Sequence, residues 1–158
     1  MNQEKFVNSL LELFPRVMRH LEEQEAREVT GLDVTPAQVH ALLALNAKNN
    51  LTMGELAAEL SMAESAATRL ADRLARTNLI RRRGDPRDRR LVRIGLSSYG
   101  QQLAQLVIQR RTRTFGYLAE HLTPVEQENL VQSMQGLLRS WAEIEAEARE
   151  REGEQKEM

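Results

Sequence analysis

The basic side chains of this chain are concentrated in one stretch and are almost all of one type. Of 22 lysines and arginines only Lys5, Lys48 and Lys156 are lysines. Ten arginines fall between residues 69 and 93: Arg69, Arg73, Arg76, Arg81, Arg82, Arg83, Arg87, Arg89, Arg90 and Arg93. Only Asp72, Asp85 and Asp88 oppose them there, which leaves a surplus of seven positive charges in a chain whose net charge is -1. A near-neutral total therefore hides a polarised molecule. The planar guanidinium fork stays charged and matches phosphate oxygens and base edges, whereas lysine serves solubility as well. The chemistry this window offers is nucleic-acid recognition.

Other chemistries find little support. The chain has no cysteine, which excludes disulfides, thiolate metal sites, a cysteine nucleophile and a thiol redox switch. His20, His40 and His121 lie far apart on three expected helices, without metal-ligand spacing. His20 or His40 stays open as the lining of a ligand cavity. No glycine-rich phosphate loop or nucleophile–base arrangement is present, so neither an enzyme nor a cofactor or metal site is expected. No apolar run approaches the ~18 residues of a membrane span. The start, MNQEKFVNSLLELF, lacks the pattern of a signal peptide, and a cytoplasmic location is expected.

The elements that must position the arginines follow from local signals. Aromatic residues are 4% of the chain, with eight glycines and four prolines among 158 residues, so long helices dominate and one compact core with helical extensions is expected. Thr35-Pro36-Ala37-Gln38, Thr52-Met53-Gly54-Glu55, Ser61-Met62-Ala63-Glu64 and Thr123-Pro124-Val125-Glu126 read as helix-opening capping boxes. They place helices at roughly 3–28, 36–47, 53–60, 62–77, 98–120 and 124–148. Residues 79–83 and 91–96 have strand character, with Val92, Ile94 and Leu96 alternating. Asp85-Pro86-Arg87-Asp88 between them suits a type I turn, which puts Arg87 at the tip of a β-hairpin. Asn78 stands where a left-handed helix stop is needed.

Helices 53–60 and 62–77 are separated by almost nothing, a helix-turn-helix arrangement. On the second, Ala63, Ala67, Leu70, Ala71 and Leu74 share a core face. The opposite arc carries Ser65, Thr68, Arg69, Asp72 and Arg76. Short polar residues early and arginines later suit a recognition helix, in which the first approach bases and the second reach phosphates.

The stretch SMAESAATRLADRLARTNLIRRRGDPRDRRLVRIGLSSYG, preceded by LTMGELAAELSM, resembles the recognition region and wing of the MarR family of bacterial winged-helix regulators. The family's acidic-x-arginine wing signature stands here as Asp85-Pro86-Arg87-Asp88-Arg89-Arg90. Asn78 replaces a frequent glycine, and Ala66-Ala67 a more usual Thr-Val pair. The resemblance implies a mainly α fold with a small β-hairpin: a winged helix-turn-helix over 35–97, flanked by dimerisation helices over 1–34 and 98–148. A charged, disordered tail is expected over 149–158.

Two seams support the dimer. Leu130, Met134, Leu137, Trp141 and Ile144 follow spacings of four and three, and Phe6, Leu10, Phe14, Val17 and Leu21 do much the same. In the resembled family the terminal helices interleave between protomers, and a two-fold dimer spaces two recognition helices along DNA. Ser65, Thr68 and Arg69 are expected to read major-groove edges, and Arg73 and Arg76 to hold phosphates, with Arg73 also open as a brace for the wing. Arg87 is expected in the minor groove, and Arg89 and Arg90 on the backbone or bracing an aspartate. Asp85 or Asp88 would orient an arginine. Arg110, Arg111 and Arg113 are expected in solvent, with DNA backbone or a partner chain as the other readings. The expectation is a homodimeric repressor on a double-stranded, pseudo-palindromic operator. The resemblance adds control by a small aromatic or anionic effector in the crevice between dimerisation helices and reader. The alternative is a ligand-independent architectural or protein-docking winged-helix protein.

Overall fold

Threonine opens three helices by the same device. Thr35, Thr52 and Thr123 each accept a hydrogen bond from the backbone N–H three residues on, while Gln38, Glu55 and Glu126 reach back to the threonine N–H. The computed structural model describes residues 2–85, 88 and 91–156. In chain order it contains α1 (Gln3–Glu28), α2 (Pro36–Ala47), β1 (Leu51–Thr52), α3 (Met53–Glu59), α4 (Glu64–Arg76), β2 (Ile80–Gly84), β3 (Val92–Leu96), α5 (Ser98–Glu120) and α6 (Pro124–Lys156). It divides into two units, Met1–Arg111 and Thr112–Met158.

In the first unit, Ala41, Leu42 and Leu45 of α2, Leu56 of α3, Ala67, Ala71 and Leu74 of α4, and Ala104 of α5 close one core with Leu79, Ile80 and Ile94. The three strands form an antiparallel sheet in the order β1-β3-β2. The register pairs Arg81 with Gly95, Arg82 with Ile94 and Arg83 with Arg93. Alternation therefore puts Ile80, Arg82 and Ile94 on the core side and Arg81, Arg83, Arg93 and Gly95 on the outer side.

Four local expectations need correction. Ser61 does not cap α4. Its φ is 49°, its N–H donates to the Ala58 carbonyl, and the Met62 N–H donates to the Ala57 carbonyl. This is a Schellman closure of α3, and it uses the residue that would have opened the next helix. The α4 helix accordingly starts at Glu64 behind Ala63, which makes no side-chain cap and is exposed. Strand β1 is an addition to the expected elements. It pairs Leu51 with Ile94 and Thr52 with Arg93, a contact no local pattern announces. Finally, α6 does not stop at 148 to leave a disordered tail but runs on to Lys156. Arg149 reaches Glu145 and Arg151 reaches Glu147, both at 3.3 Å and at i,i+4 spacing, which favours continued helix.

Asn78 has φ 57°. The same closure recurs around it, from Leu79 N–H to the Leu74 carbonyl and from Asn78 N–H to the Ala75 carbonyl. The chain thereby turns from α4 into β2 with Leu79 and Leu74 both buried.

Candidate nucleic-acid interface

Helix α4 buries Ala67, Leu70, Ala71 and Leu74 and leaves Ser65, Thr68, Arg69, Asp72, Arg73 and Arg76 at its surface. The Thr68 hydroxyl donates to the Glu64 carbonyl at 2.9 Å, so its oxygen remains available as an acceptor. Among the described residues Arg73 makes no side-chain ion pair with the hairpin. Arg82 of β2 links the hairpin to α4, its guanidinium donating to Asp72 at 2.6 Å.

A second ionic node holds the loop end of the hairpin. The Asp85 carboxylate is buried and accepts from the Arg93 guanidinium and, at 3.2 Å, from the Asp88 N–H. Arg93 also donates to the Asn50 carbonyl at 2.8 Å and lies 3.7 Å from Glu55. The hydrogen bond to Asp85 holds the Arg93 guanidinium above its usual range. The Thr52 backbone N–H, then the Thr52 hydroxyl, hold the Glu55 carboxyl below its usual range, and Arg93 adds to the effect. One arginine thus joins β3, the α2–β1 loop, the cap of α3 and the hairpin. Leu91 and Asp85 close it further, with the Asp85 N–H donating to the Leu91 carbonyl at 2.9 Å. Arg87, Arg89 and Arg90 lie outside the described residues, as does Pro86 of the expected turn.

The sequence and the fold have counterparts among known proteins. Residues 32–91 match the sequence model of the MarR family. The chain is 34% identical over 113 residues to the uncharacterized HTH-type transcriptional regulator YsmB of Bacillus subtilis, covering 69% of this chain and 77% of that protein. The chain belongs to the MarR family. It is 31% identical over 125 residues to the HTH-type transcriptional repressor MdtR of the same organism, covering 79% of this chain and 76% of MdtR. A MarR family protein from Bacillus stearothermophilus superposes with a TM-score of 0.81 at 27% identity, over 90% of this chain and 99% of that one. A mutant of S. aureus MepR bound to an oligodeoxyribonucleotide gives 0.59 at 26%, over 82% and 95%. The protein is thus a winged-helix, DNA-binding transcriptional regulator of the MarR family.

Within this MarR-family chain, several residues that organise the reader carry no local signal of that role. Arg93 and Arg82 stand out in the sequence only as members of the basic window, and nothing near Asn50 or Glu55 marks them as partners of an arginine. Their signal lies in strand register. Arg110 and Arg111 depart from the solvent expectation. Arg110 donates to the Glu28 and Thr30 carbonyls at 2.5 and 3.0 Å, and Arg111 to the buried Glu28 carboxylate at 2.7 Å. They close the carboxyl end of α1, where cations are favoured. Arg113 is exposed. The His40 ring nitrogen lies 2.9 Å from Glu25, which Arg111 approaches to 3.5 Å. His20 is on the exposed surface of α1, and His121 lies 2.8 Å from the Tyr117 carbonyl through its Nδ1.

The apolar seams are open in the single chain. Phe6, Leu10 and Phe14 of α1 are 47%, 40% and 42% exposed, and Leu130, Met134, Leu137, Trp141 and Ile144 of α6 are likewise exposed. Among the described residues no helix is long and apolar enough to cross a membrane.

Proposed function

We propose that the chain acts as a homodimeric, effector-responsive repressor that binds a pseudo-palindromic operator. The observation that carries this reading is the exposed arc of α4, with short polar side chains ahead of arginines and a wing tied to it through Asp72 and Arg82. Ser65, Thr68 and Arg69 read base edges, and Arg73 and Arg76 hold phosphates. Arg87 enters the minor groove, with Arg89 and Arg90 on the backbone, while Asp85 braces the wing through Arg93 and through its bond to Asp88. Dimerisation covers Phe6, Leu10, Phe14, Leu130, Met134, Leu137, Trp141 and Ile144, whose apolar stripes would otherwise face water. The names of MdtR, a repressor, and of the oligodeoxyribonucleotide-bound MepR mutant support the same reading.

Selection of bound genomic fragments followed by footprinting tests it, and a discrete protected palindrome is expected. On that fragment Arg87→Ala should leave the fold within about 0.5 kcal/mol, as the turn-tip place read from the sequence implies. It should lower affinity and reduce the slope of log affinity against log salt by roughly one unit. Arg69→Ala should instead relax base preference within the half-site, by about 1–3 kcal/mol at the base it reads. An Arg87→Ala protein that binds like wild type at every salt concentration removes the hairpin from the DNA interface.

The effector part rests on an open cleft of about 420 Å³ lined by His40, Leu43, Leu60 and Arg111, and by Glu59, which Lys48 pairs at 2.6 Å. Its apolar walls suit a small aromatic molecule, and a carboxylate on that molecule would compete with Glu28 and Glu25 for Arg111. Such a compound should raise the melting temperature of the DNA-free protein by linkage and weaken operator binding. A broad panel of phenolic and carboxylate compounds that moves neither quantity would favour a constitutive repressor.

A further inference from the structure

The arginines of the sheet are sorted by its pleat. Arg82, on the core side, is paired with Asp72. Arg93, on the outer side, is engaged by Asp85 and Glu55. Arg81 and Arg83 also face outward, two residues apart on β2, and form no ion pair among the described residues. They line a cleft of about 320 Å³ with Asn49, Asn50, Ser98 and Gln101, and among the described residues no carboxylate contributes to its lining. Gly95, directly across the ladder from Arg81, forms part of the same lining. A Cβ built on Gly95 would stand 3.1 Å from the Asn50 side-chain oxygen, so the glycine lets the Asn50 loop approach the sheet and leaves the space above Arg81 open. Asn50 itself has φ 62°, and its carbonyl is already committed to Arg93.

We propose that this cleft is an oxyanion site that takes a phosphate group. Two guanidinium forks on one face, with side-chain amides and a serine hydroxyl around them and no competing acid, match the oxygens of a phosphate. The site lies on the outer face of the sheet and is separate from the His40–Arg111 cleft. The phosphate has two possible sources, a DNA backbone or a free phosphorylated molecule, and the two are experimentally separable. Only the DNA source rests on the operator-binding reading.

The full-length protein, an Arg81→Gln/Arg83→Gln variant and a Gln101→Glu variant are titrated with inorganic phosphate at constant ionic strength, with calorimetry and melting temperature as readouts. Gln101→Glu keeps both arginines and places a carboxylate in the cleft, so it guards against a fold defect in the double variant. Arg16→Gln/Arg149→Gln, exposed and distant in sequence, is the charge-matched control. Wild type and control should bind phosphate, and both cleft variants should lose roughly tenfold or more in affinity. The same proteins are then measured against a mixed-sequence DNA duplex across a salt series. A DNA phosphate in the cleft predicts a slope lowered by roughly 0.9 for each phosphate the variant no longer neutralises, with inorganic phosphate competing. A free phosphorylated ligand predicts an unchanged slope alongside weakened phosphate binding. Unchanged slopes, combined with phosphate binding that is either absent or equal in wild type and both cleft variants, overturn the proposal.

Discussion

Leu137→Glu should convert the protein to a monomer at micromolar concentration and abolish operator binding in the same step. Leu137 is 38% exposed in the single chain, so the substitution spares the core of the protomer. In the proposed dimer it buries a carboxylate in an apolar seam with no partner. That costs at least about 3 kcal/mol, roughly a hundredfold or more in the dissociation constant. Light scattering with the variant and wild type at matched concentration reads the first effect, and operator titration the second. Far-UV circular dichroism should stay helical. A Leu137→Glu protein that remains dimeric with unchanged DNA affinity would place the interface elsewhere than the α6 seam.

Gly100→Ala should be the most damaging single methyl group in the reader. A Cβ at Gly100 would stand 2.0 Å from the Leu79 carbonyl oxygen, and that oxygen is backbone, so no side-chain rotation relieves the clash. The surroundings are already committed. The Ser97 N–H donates to the same Leu79 carbonyl at 3.0 Å, the Ser97 hydroxyl donates to the Asn78 carbonyl at 2.6 Å and the Gly100 N–H donates to that hydroxyl at 2.9 Å. Either α5 lifts from the base of the wing or the hydrogen bonds of the α4–β2 turn break. Overpacking of this kind costs about 1–3 kcal/mol and sometimes more, or several degrees in melting temperature for a chain of this length. The wing starts at this turn, so operator affinity should fall as well. Chemical denaturation of the variant at wild-type stability would show that the two backbones separate freely.

The two helix closures show why some local geometry is legible in a sequence and some is not. Asn78 and Ser61 do the same work, each in the left-handed region at the end of a helix. Asn78 can be read because asparagine tolerates that conformation and the following residues change period. Ser61 misleads because serine is also a favoured N-cap residue, and its place in the sequence satisfies both roles. Only the hydrogen bonds from Ser61 and Met62 back into α3 distinguish them. The extension of α6 is hidden for a different reason. A run of glutamate and arginine reads as a solvated tail by composition, while its i,i+4 pairs favour helix.

The features that follow from the amino-acid order alone are local: the threonine-capped helices, the hairpin periods, the polarised charge and the outward arc of α4. They depend on neighbours within a few residues, so spacing carries them. The resemblance to MarR regulators rests on the same contiguous stretch. Which charges meet is a matter of tertiary structure. Arg93 finds Asp85, Glu55 and Asn50, and Arg82 finds Asp72, because a strand register and the packing of α4 bring together residues 8 to 43 positions apart. The same folding assigns Arg110 and Arg111 to the end of α1, 80 to 83 positions away. A guanidinium is equally at home in water, on a carboxylate or on a phosphate, so its residue type does not choose among them. The pleat and packing around each arginine make that choice, by setting which acceptors lie within reach.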